Sequence, residues 1–164
     1  MHSTKKNTLI LALLIMYLCA TGSTSAIDLS ASGGWSPIIG PADLAAGPGS
    51  GLNSIYQSNP DQVLVSISNS LGFDDSWRVD VRRSDTNWDS DLALSVKRSG
   101  NGVGSGSVLG GDGYQAINMS DVAFFSGGGN RSDIPIEIQI SGVSIAIPPG
   151  TYSTSIVLTV VDTQ

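Results

Sequence analysis

The sequence predicts an all-β protein built as an antiparallel β-sandwich. Several short segments alternate apolar with polar residues, which is the pattern of a strand with one buried face. Gly, Pro and Asn separate these segments, whereas helix signals are confined to one short stretch. The chain is 40% hydrophobic and 13% charged, values that favour a folded domain over a disordered acidic tail.

Residues 1–26 have the features of a secretory signal peptide. Lys5 and Lys6 precede an unbroken apolar run, 9–20, and small residues follow as far as Ala26. As a helix, this run spans about 18 Å, short of the roughly 30 Å hydrocarbon core, so an uncleaved membrane anchor is the weaker interpretation. We therefore expect cleavage before Ile27 and a secreted or cell-surface protein, which a Gram-negative cell exports through the periplasm.

Cleavage of this segment excludes several functions. Of 164 residues, 138 remain, without the only His and the only Cys, and 6 basic residues face 14 acidic ones for a net charge of −8. A chain with this charge and no basic stripe is not expected to bind nucleic acid. It also lacks an imidazole base, a thiol nucleophile and the usual zinc ligands. We therefore predict a protein that is not an enzyme, with no catalytic residues and no cofactor.

The strands can be assigned in chain order from their alternating apolar residues. The first segments with such a face are 63–67, 77–81 and 92–96. Gly100-Asn101-Gly102 then predicts a hairpin or a flexible turn. Residues 115–125 alternate imperfectly, which predicts one strand with a bulge. The only helix signal, 41–46, allows a single turn inside an otherwise loop-like stretch from Gly33 to Gly51.

The C-terminal third has the clearest alternation. Four isoleucines share one face between 134 and 140, and the apolar positions then become odd-numbered at 143–147, with Gly142 at the switch. We expect a bulge or a change of sheet at this glycine. A last strand over 151–161 follows Pro148-Pro149-Gly150 and presents Ile156, Leu158 and Val160 on one face.

The entry to this last strand resembles the corner before strand F of immunoglobulin-like sandwiches. There a Tyr packs at the turn and its hydroxyl bonds to the backbone, which here implies Tyr152. One further strand should follow, but the sequence stops at Gln164. We therefore expect an immunoglobulin-like sandwich, 37–164, that lacks its last strand and has an open edge and a groove at Tyr152, Ile156, Leu158 and Val160.

The N-terminus of the mature chain supplies a candidate strand for that groove. Apolar or small residues occupy every second position, and the Gly- and Pro-rich stretch separates them from the domain. Such a segment, 27–36, suits insertion into a neighbouring subunit by strand addition, and head-to-tail repetition then gives a filament. The residues of this predicted donor strand are Ile27, Leu29, Ala31, Gly33 and Trp35.

Together, the two ends of the chain resemble subunits of chaperone-usher pili and the related spore coat U-like secreted proteins. The resemblance rests on 149–152 with the last-strand residues, and on 27–35. It implies a structural pilus or fibre subunit whose partners are copies of itself, a periplasmic chaperone and an outer-membrane usher, with no membrane association after signal cleavage. The mature chain has no Cys for the disulfide of many such pilins, so another kind of strand-exchanging fibre subunit describes it equally well.

Two alternatives use the same residues differently. The N-terminal strand can fold back onto its own domain, which gives a closed monomer with the same contacts as an exchanged strand. The protein can also be a monomeric carbohydrate-binding module or adhesin, with Trp88 as an exposed stacking platform. Trp77 is not expected to serve as such a platform, because it shares one strand face with two valines and is therefore predicted to belong to the core.

One polar segment resembles the first half of a calcium loop. Oxygen-bearing side chains recur at alternate positions, as calcium coordination needs, but Ser90 and Val96 occupy the places of the conserved Gly and Glu of an EF-hand loop. The simpler interpretation is a turn rich in Asp and Asn between two strands. The candidate ligands for a weak calcium site are Asp85, Asn87, Asp89 and Asp91.

Overall fold

The computed structural model of the protein describes residues 26–72 and 74–164, so the predicted signal peptide lies almost wholly outside the described residues. The described chain contains one 3-10 helix, Pro41–Asp43, within the single turn predicted at 41–46. Its strands are β1 (Asp28–Gly33), β2 (Ile55–Gln57), β3 (Val63–Ser68), β4 (Ser76–Asn87), β5 (Ala93–Arg98), β6 (Val103–Gly104), β7 (Val108–Leu109), β8 (Gln115–Ile117), β9 (Val122–Gly128), β10 (Arg131–Ser141) and β11 (Ser153–Asp162).

These strands form two antiparallel sheets that pack against each other, which confirms the predicted all-β sandwich. The larger sheet has the order β1-β3-β10-β5-β8, and the short strands β2 and β6 pair with the two ends of β10. The smaller sheet has the order β11-β4-β9-β7. β1 and β11 are therefore edge strands, one in each sheet, and they approach each other along one side of the sandwich.

The core lies between the sheets and consists of the faces that the alternation predicted. Both sheets contribute side chains with essentially no exposure to solvent. The largest fully buried ones are Val65, Ile67, Val96 and Ile134 from the larger sheet and Trp77, Val79 and Val81 from the smaller one.

The Asn-Gly segment does not form the predicted hairpin. β6 pairs with β10, in register Arg131 with Gly104, and not with β5. β3 occupies one side of β10 at both Arg131 and Ile136. β6 and β5, which pair with the same two residues, therefore follow one another along the other side, with residues 99–102 between them. The local sequence does not show which strand lies opposite, so an Asn-Gly signal alone does not establish a hairpin.

The segment 115–125 forms two strands in different sheets, and not the single bulged strand that we predicted. β8 pairs with β5 in the larger sheet, whereas β9 pairs with β4 in the smaller one. The turn at 118–121 makes this crossing, with the Asn118 side chain accepting a hydrogen bond from the Ser120 amide at 2.8 Å. A bulge does occur, within β9, because the register shifts between Phe125 and Ala123. Both Phe124 and Phe125 are buried as a result.

Residues 143–147 do not form the strand predicted after Gly142. β10 ends at Ser141, Gly142 has a φ of +81°, and the chain leaves the sheet in a turn. Val143 is buried, while Ile145 is 74% exposed, so the alternation does not describe a second buried face. The apolar residues of this segment instead line a groove.

Candidate strand-acceptor groove

β11 has one hydrogen-bonded edge and one free edge. It pairs with β4 along its whole length, from Ser153 opposite Asn87 to Asp162 opposite Trp77. On its other side, no strand of the described residues pairs with it. Its outward N–H and C=O groups are therefore available to an added strand over ten residues.

The predicted last-strand residues lie on the face of β11 that turns towards the core. Ile156, Leu158 and Val160 are half-buried and pack against the core cluster, so they are covered on one side only. Thr154, on the same strand, donates a hydrogen bond to Asp85 at 2.8 Å. β11 thus combines a free backbone edge with an incompletely covered apolar face.

An apolar groove of about 1150 Å³ lies beside this strand. The first half of β11 forms one wall, and the end of β1 with the following residues 34–39 forms the other. Ile138 and Ile140 of β10 contribute to its floor. Every side chain that lines the groove is uncharged, although 13% of the chain is charged. Such a groove suits an extended, uncharged, apolar segment.

Tyr152 forms the corner that leads into β11. Its hydroxyl donates a hydrogen bond to the Pro148 carbonyl at 2.6 Å, four residues upstream. This is the hydrogen bond that the resemblance to a tyrosine corner implies. It holds the loop 148–151 against the start of the strand, where Tyr152 also lines the groove.

The predicted donor strand is paired within its own chain in this structure. β1 runs antiparallel to β3, with Leu29 opposite Ile67 and Ala31 opposite Val65. Ile27, Leu29 and Trp35 pack against the core, as the alternative of a folded-back strand requires, whereas Ala31 and Gly33 are exposed. Within β1 itself only Leu29 is half-buried. Exchange of this strand between chains remains a prediction.

The side chains of three of the four candidate calcium ligands have other hydrogen-bond partners. Asp85 and Asn87 belong to β4, where Asp85 accepts from Thr154 and the Asn87 amide donates to the Thr151 carbonyl. The Asp89 carboxylate accepts from the Asp91 amide at 2.9 Å, which closes the turn at 88–91. Throughout residues 26–72 and 74–164, no group of three or more His, Cys, Asp or Glu side chains is arranged to hold a metal ion. Calcium binding stays a prediction that calorimetry can test.

Trp88 lines the groove but is half-buried and packs against the core, so it is not the exposed platform that we predicted. Its indole N–H donates to the Leu92 carbonyl at 2.9 Å, and the Arg83 guanidinium lies 5.5 Å from its ring centroid. One ring face is therefore already in contact with a cation. Trp35 and Tyr152 line the same groove, so the aromatic residues of this region converge there.

Sequence reasoning missed a polar cluster on the larger sheet. Lys97 lies directly opposite Glu137, the ion pair measures 2.6 Å, and the Tyr114 hydroxyl donates to the same carboxylate. The Lys97 ammonium also lies 4.5 Å from the Tyr114 ring centroid. Glu137 is the only Glu of the chain, but its partners became recognisable only with the strand register.

This cluster predicts a loss of stability at both ends of the pH scale. Hydrogen bonds from Lys97 and then Tyr114 lower the pKa of Glu137, so its stabilising contribution is present above the ordinary carboxylate pKa and is lost as pH falls through the lowered value. Burial and then the bond to Glu137 raise the pKa of Tyr114 to about 12, so its contribution is lost as pH rises from about 10 through 12.

Urea unfolding across pH measures both effects. In Tyr114→Phe, the loss of stability between about pH 10 and 12 should be smaller than in the wild type, and Glu137→Gln should lose less stability in acid. Tyr152→Phe is the matched control, because its hydroxyl bonds to a neutral carbonyl. The prediction would be contradicted if Tyr114→Phe and the wild type lost the same amount of stability at alkaline pH.

The geometry defines a class of protein, a two-sheet antiparallel sandwich with an apolar groove beside a free edge strand. Comparison of the chain with protein-family models, with curated proteins and with solved structures finds no match. A membrane-spanning helix is also not found, since no helix of the described residues is long and apolar enough.

Proposed function

We propose that this protein is a structural subunit of an extracellular pilus or fibre that polymerises head-to-tail through its N-terminal strand, 27–36. The single observation that carries the proposal is the free edge of β11 beside an uncharged apolar groove. A ten-residue strand with one unpaired edge is a hazard in a monomer, because that edge is a template for pairing with another chain. In a subunit that accepts a strand, the same edge is the binding surface.

The N-terminal segment has the properties of the inserted strand. Its apolar positions alternate, and none of its residues is fully buried, so its release uncovers less apolar surface than release of a core strand would. Once released from β3, the segment can pair with the free edge of β11 in another copy, beside the apolar groove. Head-to-tail repetition of this contact then connects a chain of copies.

The connection behind the strand is long enough for this exchange. Residues 34–40 contain no regular secondary structure before the 3-10 helix, and fully extended they span about 23 Å. A domain of this size has a radius of gyration of about 14 Å. The strand can therefore reach an adjacent copy while the rest of the loop stays folded.

Export and assembly partners belong to the same proposal. The predicted signal peptide supports passage out of the cytoplasm, and the resemblance to chaperone-usher subunits supports a periplasmic chaperone and an outer-membrane usher as partners. Both would act on the mature subunit before it joins a fibre at the cell surface. The immunoglobulin-like assignment of the sandwich is part of this proposal and is supported by the Tyr152 corner.

Deletion of residues 27–35 is expected to abolish polymer formation. The acceptor groove remains but no strand can fill it, so the variant should be monomeric and should depend on a chaperone for solubility. Size-exclusion chromatography and electron microscopy measure the outcome. A deletion variant that polymerises like the wild type, or that is an intact and stable monomer on its own, would contradict the proposal.

A disulfide distinguishes exchange from folding back. Ser30 lies directly opposite Ser66, and the mature chain has no Cys, so Ser30→Cys/Ser66→Cys places one thiol on each strand at a bridgeable distance. After oxidation, the disulfide holds β1 on β3 of its own chain, so polymer formation is expected to stop and to return on reduction. The single variant Ser66→Cys is the control. A crosslinked monomer that polymerises like the wild type would contradict insertion of this strand into a neighbour.

A second candidate function is supported by the aromatic residues of the groove. Trp35, Trp88 and Tyr152 all line it, an arrangement that a monomeric carbohydrate-binding module or adhesin can use for stacking. In that case, glycan-array binding should be found and should be abolished by Trp88→Ala. Absence of glycan binding, together with polymer formation that the Ser30→Cys/Ser66→Cys disulfide blocks and reduction restores, would favour the fibre subunit.

A further inference from the structure

Two arginines point into the end of the sandwich without a carboxylate partner in the described residues. Arg98 lies opposite Ile136, and Arg131 lies opposite Ile67, both core residues, so the arginines share the inward face. Arg98 is 8% exposed and Arg131 is 9% exposed. Neither takes part in a salt bridge within residues 26–72 and 74–164. Buried charges of this kind are ordinarily paired.

Both guanidinium groups meet at one asparagine. Arg98 donates to the Asn101 side-chain oxygen and to the carbonyls of Gly100, at 2.9 Å, and Gly110, at 2.8 Å. Arg131 donates to the Asn101 backbone carbonyl at 3.4 Å and to the Gly106 carbonyl. All of these acceptors are neutral. A carboxylate at position 101 would therefore accept a hydrogen bond from the buried Arg98, with Arg131 beside it on the backbone carbonyl of the same residue, and hydrogen bonds between charged groups are the strong ones.

We propose that Asn101 is a site of self-modification, at which deamidation converts its amide to a carboxylate that pairs with Arg98 and Arg131. Asn101-Gly102 is the only Asn-Gly pair in the chain, and Asn101 is exposed to water. Glycine has no side chain to hinder attack by its own nitrogen on the preceding side chain. The bond from Arg98 to the side-chain oxygen draws electrons from the carbon that is attacked.

The reaction needs only water and releases ammonia. The Gly102 nitrogen loses its proton and bonds to the Asn101 Cγ, while the side-chain nitrogen takes up a proton and leaves as ammonia, which closes a succinimide ring. Water then adds to one ring carbonyl. Cleavage of the Cγ–N bond gives aspartate, whereas cleavage of the backbone C–N bond gives isoaspartate, with one extra carbon in the main chain.

The packing of Gly102 favours aspartate. A Cβ atom on this residue would lie 2.3 Å from the Ser132 carbonyl oxygen and 2.8 Å from the Ile134 nitrogen, so its backbone lies directly against β10. A lengthened main chain at 101 would displace Gly102 from this position. Aspartate keeps the original length and adds the missing negative charge, so it fits the folded loop.

Peptide mapping of the folded mature protein tests the proposal. Cleavage after Arg98 and Arg131 yields one peptide, 99–131, in which Asn118 and Asn130 are internal controls for Asn101. After incubation at mildly alkaline pH, we expect deamidation at Asn101 ahead of both controls, with aspartate exceeding isoaspartate. In the urea-unfolded chain isoaspartate should exceed aspartate. Unchanged Asn101 in the folded protein, or isoaspartate as its main product there, would overturn the proposal.

The variant Asn101→Asp tests the product separately. Its urea midpoint at neutral pH should exceed that of the wild type, and the difference should vanish in acid as the carboxylate is protonated. Asn118→Asp is the matched control, an exposed turn residue whose side chain accepts a hydrogen bond from the Ser120 amide, and it should show no such gain. A midpoint for Asn101→Asp at or below that of the wild type would mean that the two arginines do not favour a carboxylate.

Discussion

Trp77→Ala is expected to lower the free energy of unfolding by about 3–5 kcal/mol, the range for truncation of a buried aromatic residue. Trp77 has 0% exposure and packs edge-on against Phe125, with ring centroids 6.1 Å apart. Its indole N–H donates to the Gly129 carbonyl at 2.8 Å in the interior. The substitution leaves both a cavity and a buried carbonyl without its partner.

Urea unfolding measures this loss, because Trp35 and Trp88 remain as fluorescent probes. Trp77→Phe separates the two causes, since it keeps most of the packing and removes the hydrogen bond, for an expected loss of about 1–3 kcal/mol. Trp35→Ala is the comparison at a half-buried position and should cost less than Trp77→Ala. Equal losses at positions 35 and 77 would contradict the assignment of Trp77 to the core.

Gly142→Ala is expected to destabilise the protein by at least about 2 kcal/mol, because an L-residue in the left-handed region is strained. Gly142 has a φ of +81°, and a Cβ atom there would lie 2.1 Å from the Asp91 carbonyl oxygen. That neighbour is backbone and cannot rotate away. The residue therefore ends β10 at a close approach of two main-chain segments.

The matched control is Gly113→Ala, at a position without positive φ and with nothing within 4 Å of the added Cβ. Its effect on the urea midpoint should be within about 0.5 kcal/mol of zero. Similar midpoints for the two alanine variants would contradict the close approach at Gly142. A loss of stability in Gly142→Ala alone would support the close approach of the two main-chain segments at the end of β10.

Alternating residues sufficed to predict the buried faces of the long strands. The isoleucines of β10 and the Trp77-Val79-Val81 face of β4 lie where the alternation placed them, because side chains alternate strictly between the two sides of a strand. The same rule failed at 143–147, where Ile145 is exposed. An alternating pattern therefore occurs both in strands and in turns whose apolar residues line a groove, and the pattern alone cannot distinguish the two.

The sequence alone therefore determined the all-β class, the core faces and the confinement of the only His and the only Cys to residues 1–26, since these depend on residue positions and local periodicity. Only the tertiary structure decided the pairing partners. It placed β1 on β3 and β6 on β10, left one edge of β11 free among the described residues, and brought Arg98, Arg131 and Asn101 together. The physical reason is that strand pairing joins residues far apart in the chain, and the register that aligns them is set by the whole core.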